Sequence, residues 1–256
     1  MVTGTRLGRR VMIMGCPIDV LDMRQTVELC DKLIQSRTPS QQVSINAAKI
    51  VAMRRDARLR SIVTQCSLIN ADGQSIVWAS RLLGCPLPER VAGIDLMFEL
   101  LALAERRAYR VYILGARADV LEIAIARLKD RYPELNFCGW HHGHFRDEES
   151  GPVVELIAGA APDILLVAMT SPRKEYWLGE HGAALGAPLV LGVGGSIDVV
   201  AGLTRRAPLW MQRGGLEWLY RVVQEPRRLA RRYWVTNAQF MGLLAIELAR
   251  TRWKRG

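Results

Sequence analysis

Along the first two hundred residues, hydrophobic and polar positions follow two alternating rhythms. Short runs rich in β-branched and other apolar residues recur at positions 11–14, 43–45, 67–69, 111–114, 136–138, 164–168 and 188–193. Between them lie longer stretches at 24–36, 73–83, 94–107 and 119–131, where apolar residues return every three or four positions. A strand that is apolar on both of its faces must be covered on both, and helices between such strands supply the cover. The pattern predicts one α/β domain over residues 1–203, with a Rossmann-like, mostly parallel sheet and helices on both faces.

From Thr204 the rhythm changes. No strand pattern follows, and helical spacing appears at 215–224 and 227–250, with Pro226 as the boundary between them. Of the net charge of +10, nine units fall here, from 12 Lys/Arg against 3 Asp/Glu. Arg221, Arg228, Arg231 and Arg232 are interleaved with Trp210, Trp218, Tyr220, Tyr233 and Trp234. Cations mixed with amphipathic rings suit a helical surface lying among lipid headgroups. The segment 204–256 therefore reads as a basic, aromatic appendage that meets an anionic membrane surface. A solvated basic helix with its tryptophans in a core is the plainer alternative. No nucleic-acid motif accompanies the charge, so no nucleic acid is expected as a partner.

The apolar run at 240–249 is interrupted by Glu247 and falls short of the roughly 18–20 residues that span a bilayer. Near the start, the apolar stretch 11–18 contains Pro17 and runs into Asp19, which fits a first strand better than a signal peptide. The five cysteines are scattered and form no C-x-x-C pair, which fits a reducing compartment.

Candidate chemistry clusters where predicted strands end. Ser44 and Asn46 follow one strand and Asp72-Gly73 the next, at the edge where open α/β sheets bind ligands. Asp72 reads equally as a general base facing a cleft or as the cap of the helix behind it. Gly115 closes a β-turn-α unit whose helix start could receive phosphate, although the full dinucleotide fingerprint is absent. Thr170-Ser171-Pro172-Arg173-Lys174-Glu175 places two cations at a helix start, and Gly192, Gly194 and Gly195 form a loop that lets backbone approach a ligand, with Asp198 behind it. His141, His142 and His144 lack a carboxylate or cysteine at matching spacing, and no D-x-D pair occurs, so no metal and no cofactor is expected.

These motifs, in this order, resemble the WecG/TagA/CpsF glycosyltransferases. The likeness runs through Ser44 to Asn46, Ala71-Asp72-Gly73, Glu89-Arg90-Val91-Ala92-Gly93 with Asp95, Gly115, Ser171-Pro172 with Glu175, and Gly192 to Gly195 with Asp198. It is densest at Arg206-Ala207-Pro208, Gly215-Leu216-Glu217-Trp218-Leu219-Tyr220-Arg221 and Glu225-Pro226-Arg227-Arg228. The resemblance implies an inverting enzyme that moves a sugar from a UDP-sugar onto a polyprenyl-diphosphate-linked sugar for a cell-surface glycan. Such an enzyme would be cytoplasmic and peripheral on the inner face of the cell membrane. Its catalytic base falls on Asp72. Ser44 stands where the family often has Thr, and Lys174 where it usually has Gln, so the donor, of glucose or N-acetylmannosamine type, does not carry over. Lys174 tilts the reading slightly towards exopolysaccharide assembly.

On this reading the departing UDP is met by Arg90, Lys174, Arg205, Arg206 and the glycine turns, and Asp198 accepts from uridine or ribose. Arg221, Arg228 and Arg231 hold the acceptor's diphosphate, while Trp218 and Trp234 meet the membrane. A homo-oligomer is left open. The rival from another class is a non-enzymatic protein docking its basic tail on a membrane or nucleic acid. A nucleotide-sugar epimerase or dehydrogenase is a second rival, disfavoured by the missing fingerprint.

Overall fold

A computed structural model describes residues 8–253. Six parallel strands form the central sheet: β3 (Ser40–Ile45), β4 (Leu68–Ala71), β5 (Arg110–Gly115), β6 (Asn136–His141), β7 (Ile164–Ala168) and β8 (Leu189–Gly192), in the spatial order β4-β3-β8-β7-β5-β6. The inner strands β7 and β8 are buried along nearly their whole length, as strands covered on both faces must be. The helices α1 (Met23–Gln35), α2 (Ala47–Arg55), α3 (Ala57–Gln65), α4 (Gln74–Leu82), α5 (Gly93–Arg107), α6 (Ala118–Arg131), α7 (Ser150–Gly159), α8 (Arg173–His181) and α9 (Ser196–Val200) lie between and after the strands. The α/β class expected from the sequence is the class found.

The first expected strand is a correction. Residues 11–14 do not enter the parallel sheet; β1 (Arg10–Ile13) pairs antiparallel with β2 (Cys16–Asp19) in a separate hairpin. The reason is local. Met14 and Gly15 take φ of 50° and 79°, the left-handed pair that turns a two-residue hairpin. One-sided burial follows, with Val11 and Ile13 inward and Met12 outward. Asp19 then fixes the hairpin to the sheet. Its carboxylate pairs with Arg10 at 2.6 Å and accepts from the Ile69 N–H of β4 at 2.7 Å.

Carboxyl ends of the strands gather on one edge. After β5 the chain moves outward to β6, whereas after β7 it moves the other way to β8, so the topological switch point falls between the ends of β5 and β7. Gly115 sits there for a packing reason. Its φ is +132°, and a Cβ at that position would fall 2.4 Å from the Ala168 carbonyl carbon of β7. Backbone cannot yield to such a contact, so Gly115→Ala should cost at least about 2 kcal/mol, read from a shifted denaturant midpoint. A variant as stable as the parent would contradict the close approach.

The C-terminal segment comprises α10 (Leu209–Arg213), α11 (Glu217–Gln224) and α12 (Pro226–Trp253); α11 and α12 fall on the two helical stretches the sequence predicts, and α10 precedes both. It is packed onto the α/β body. Phe240 and Leu244 of α12 are buried in one cluster with Ile50 and Val51 of α2. Gly215, at φ +69°, lies so near α4 that a Cβ would meet Gln74 Cγ at 2.7 Å and the Trp78 ring at 3.2 Å. No helix among the described residues is long and apolar enough to cross a membrane.

Candidate active site

Strand pairing places the first group of residues. The Ile45 carbonyl at the end of β3 accepts from Asp72 N–H at 2.8 Å and Gly73 N–H at 3.3 Å, which pins the turn after β4 against β3. The Val91 N–H donates to the Ala71 carbonyl at 2.9 Å, drawing the chain before α5 back to the same point. Gly93 therefore opens α5 directly over Asp72 and donates its N–H to that carboxylate. A Cβ on Gly93 would stand 3.2 Å from Ser44 Oγ and 3.7 Å from Asp72 Oδ2, so glycine keeps this contact open.

Of the two readings left open for Asp72, the helix cap drops out. Helix α4 has Gly73 at its N-cap and no side-chain capping bond, so Asp72 is not spent on a cap. Asn46 is: its Oδ1 accepts from the Lys49 N–H at 3.0 Å and caps α2, within the same small space. Ser44 Oγ accepts from Gln42 Nε2 at 3.2 Å, and a buried chain continues from Gln42 to Asn70 and on to Thr26. Such a chain fixes the position of the Ser44 hydroxyl.

Around Asp72 the body and the appendage share charges. Arg90 pairs with Glu217 of α11 at 3.0 Å, with only 15% of either side chain exposed. Arg206 holds Asp95 through two bonds of 2.5 and 2.6 Å and lies 3.9 Å from Glu217. Burial pushes the Asp72 carboxyl above the usual aspartate range, and Glu217 adds to the push. Arg90, Arg221 and the Gly93 N–H pull it back only in part. Asp72 is thus a buried carboxylate at the junction, and its surroundings tighten its hold on a proton.

The second group lies at the start of α8. Lys49 Nζ is 2.7 Å from Glu175 Oε1, and Glu175 Oε2 accepts from Ser171 Oγ at 2.8 Å. Lys174 runs beneath the end of β8, where a Cβ on Gly192 would meet its Nζ at 2.6 Å. Burial and the neighbouring Lys49 push the Lys174 ammonium down to about 8, with Glu175 and Asp72 opposing. Burial also pushes the Glu175 carboxyl up, but Lys49, Lys174 and Ser171 together hold it below the usual range. Arg173 points elsewhere and donates to the carbonyls of Gly143 and Phe145 at 3.0 and 2.5 Å, tying down the loop after β6. At the end of β6, His141 Nδ1 pairs with the His142 carbonyl at 2.8 Å.

Gly194, at φ +51°, has open space where a side chain would be, and Gly195 precedes α9 with Asp198 in its first turn. Asp198 is near enough to Arg117, at the start of α6, to strengthen that residue's hold on its proton, behind the larger effect of Asp119. Arg205 is engaged through its backbone, which exchanges two 3.0 Å bonds with the Gln224 amide, and its side chain is exposed. Trp218 packs on Tyr233 at 5.9 Å between ring centroids, Trp234 is 81% exposed and Arg231 is exposed. The Arg228 side chain lies outside the described residues. Sequence reasoning missed Lys49 and the site role of Glu217. Lys49 carried a signal, as a lysine beside Ile50 and Met53 on the buried face of α2.

Comparison with known proteins covers nearly the whole chain. The profile of the Glycosyl transferase WecG/TagA/CpsF family matches residues 11–254. An N-acetylglucosaminyldiphosphoundecaprenol N-acetyl-beta-D-mannosaminyltransferase of Staphylococcus aureus strain MW2 is 35% identical over 225 residues, covering 87% of this chain and 87% of that protein. The protein of the same name from strain COL matches to the same extent. Among solved structures, a mutant of arylmalonate decarboxylase aligns over 73% of this chain and 77% of its own, at 17% identity and a TM-score of 0.26, too distant to bear on the argument.

Proposed function

Because this chain belongs to the Glycosyl transferase WecG/TagA/CpsF family and is a glycosyltransferase, we propose that it is an inverting enzyme using a UDP-sugar donor and a polyprenyl-diphosphate-linked sugar acceptor. The names of the Staphylococcus relatives favour N-acetylglucosaminyl-diphosphoundecaprenol as acceptor and an N-acetylmannosaminyl donor, with a glucosyl donor as the variant to test. The observation that carries the reading is the setting of Asp72. It is a carboxylate that caps no helix, at the carboxyl edge of the sheet, raised in basicity by burial and within electrostatic reach of Arg90 and Arg221.

Asp72 takes the proton of the acceptor hydroxyl as that oxygen bonds to the anomeric carbon. The bond from the anomeric carbon to the diphosphate oxygen breaks on the opposite face, and UDP leaves with the electron pair. Its negative charge falls where Lys174 and the turns at Gly192, Gly194 and Gly195 converge, with cations doing the work of offsetting it. Arg221, near enough to Asp72 to influence it, is the cation we assign to the acceptor's own diphosphate. Ser44, Asn46 and Gly93 shape the floor under the reacting sugar.

The appendage supports a peripheral site at the inner face of the cell membrane. Leu209, Trp210, Val223 and Trp234 are each at least 67% exposed on a segment that carries most of the net positive charge. Large exposed apolar side chains among arginines are what an anionic lipid surface engages. The test is a donor panel. Purified protein is given a synthetic lipid-diphosphate N-acetylglucosamine, one UDP-sugar at a time and a chelator. Transfer from UDP-N-acetylmannosamine or UDP-glucose under chelation is expected. Transfer that requires added metal would contradict the cationic reading, and no transfer from any donor would move the balance to the binding-protein alternative.

A further inference from the structure

Two lysines and one glutamate are buried together beside Gly192, and they are not equivalent. Lys49, Lys174 and Glu175 are 9%, 7% and 1% exposed. Lys49 reaches Glu175 Oε1 at 2.7 Å, a full charge-assisted bond, while Lys174 Nζ stands 3.8 Å from the same oxygen, beyond hydrogen-bond distance. The second carboxylate oxygen is taken by Ser171. Glu175 therefore bonds Lys49 directly and holds Lys174 only as a longer ion pair, and with two ammonium groups against one carboxylate a positive charge is left in surplus. That surplus ammonium lies against Gly192, at the strand end next to the open turn of Gly194, and within electrostatic reach of Asp72.

We infer that Lys49 is a positioning residue: by occupying Glu175 it keeps the Lys174 ammonium free to meet the negative charge of the donor diphosphate. This rests on the reading of Lys174 as a donor contact. The charged groups facing Lys174 are Lys49 on α2, Glu175 on α8 and Asp72 after β4. Lys49 itself also faces Cys16 and Cys66, whose thiols burial pushes up to about 12, so they stay neutral and offer Lys49 no competing anion. The consequence for pH has a definite sign. Lys174, pushed down to about 8, loses its charge as pH rises through that value, and donor binding weakens with it. Without Lys49, Glu175 turns to Lys174, which holds its proton to higher pH but is drawn away from the donor.

The test is the pH profile of donor kcat/KM for the full chain, with Lys49→Met, Lys49→Arg and Lys174→Gln alongside. Lys49→Met should raise the donor KM roughly tenfold near neutrality with kcat little changed, and should move the alkaline limb upward by about one pH unit. Lys49→Arg should restore both. Lys174 can pair with Glu175 in Lys49→Met, so that carboxylate is not orphaned, and a thermal melt of each variant confirms folding. A Lys174→Gln defect in donor KM, together with an unmoved alkaline limb in folded Lys49→Met, would overturn the role of Lys49 alone. An unchanged donor KM in Lys174→Gln would overturn the donor contact, and the inference with it.

Discussion

Asp72→Asn is expected to lower turnover by about 10²- to 10⁴-fold, the usual contribution of a positioned general base, while UDP binding stays near the parent value. The asparagine keeps the size of the side chain and can still face the Gly93 N–H, but it cannot take the acceptor's proton. The parent enzyme should also show where this base titrates. Burial, with Glu217 behind it, holds the Asp72 proton more tightly than in an ordinary aspartate, so activity should fall on acidification at a pH above the ordinary range near 3.9. That acidic limb should be missing from the residual activity of Asp72→Asn. A variant with full turnover would remove Asp72 from the chemistry.

Deleting residues 204–256 is expected to abolish turnover on a lipid acceptor and on a short, water-soluble one alike. Loss on the lipid acceptor alone would follow from lost membrane contact. Loss on the soluble acceptor follows from the site, because the deletion removes Glu217 from Arg90, Arg206 from Asp95, and Arg221 from the neighbourhood of Asp72. It also uncovers the α2 face packed by Phe240 and Leu244, so a second variant keeps the question answerable. Trp210→Ala with Trp234→Ala removes two side chains that are 67% and 81% exposed and leaves the ion pairs intact. That pair should weaken binding to anionic vesicles and slow transfer to the lipid acceptor, with transfer to the soluble acceptor unchanged. Full activity of the deletion on either acceptor would sink the claim that the appendage completes the site.

Much of the architecture was legible because burial on two faces leaves a pattern. The strand at 164–168 was read to the residue, and the continuous apolar runs announced a parallel sheet. The first run misled because an apolar quartet with a one-sided pattern is too short to reveal its partner, and the hairpin turn at Met14-Gly15 puts a left-handed φ on a methionine. Asp72-Gly73 stands out in the sequence as a carboxylate and a glycine where a strand ends, whereas Gly93, which opens α5, is marked only by the family resemblance. The site was hidden where the partner is distant in sequence. Nothing near Arg90 points to Glu217, and nothing near Glu175 points to Lys49. Arg205 and Arg206 show the limit of reading composition: neighbours of one charge, one is turned to solvent and the other is locked on Asp95. Gly115 reads as a phosphate turn in sequence, yet a backbone contact already requires it.

The most direct test of the central claim is a single turnover. The full chain, a synthetic lipid-diphosphate N-acetylglucosamine and UDP-N-acetylmannosamine are combined, and the product is examined by mass and by the one-bond carbon–proton coupling at its new anomeric centre. The account predicts an acceptor heavier by one sugar and linked with the configuration opposite to that in the donor, as direct displacement with Asp72 as base requires. A product that retains the donor's configuration would contradict it, since retention needs a step for which Asp72 and its surroundings have no role as described.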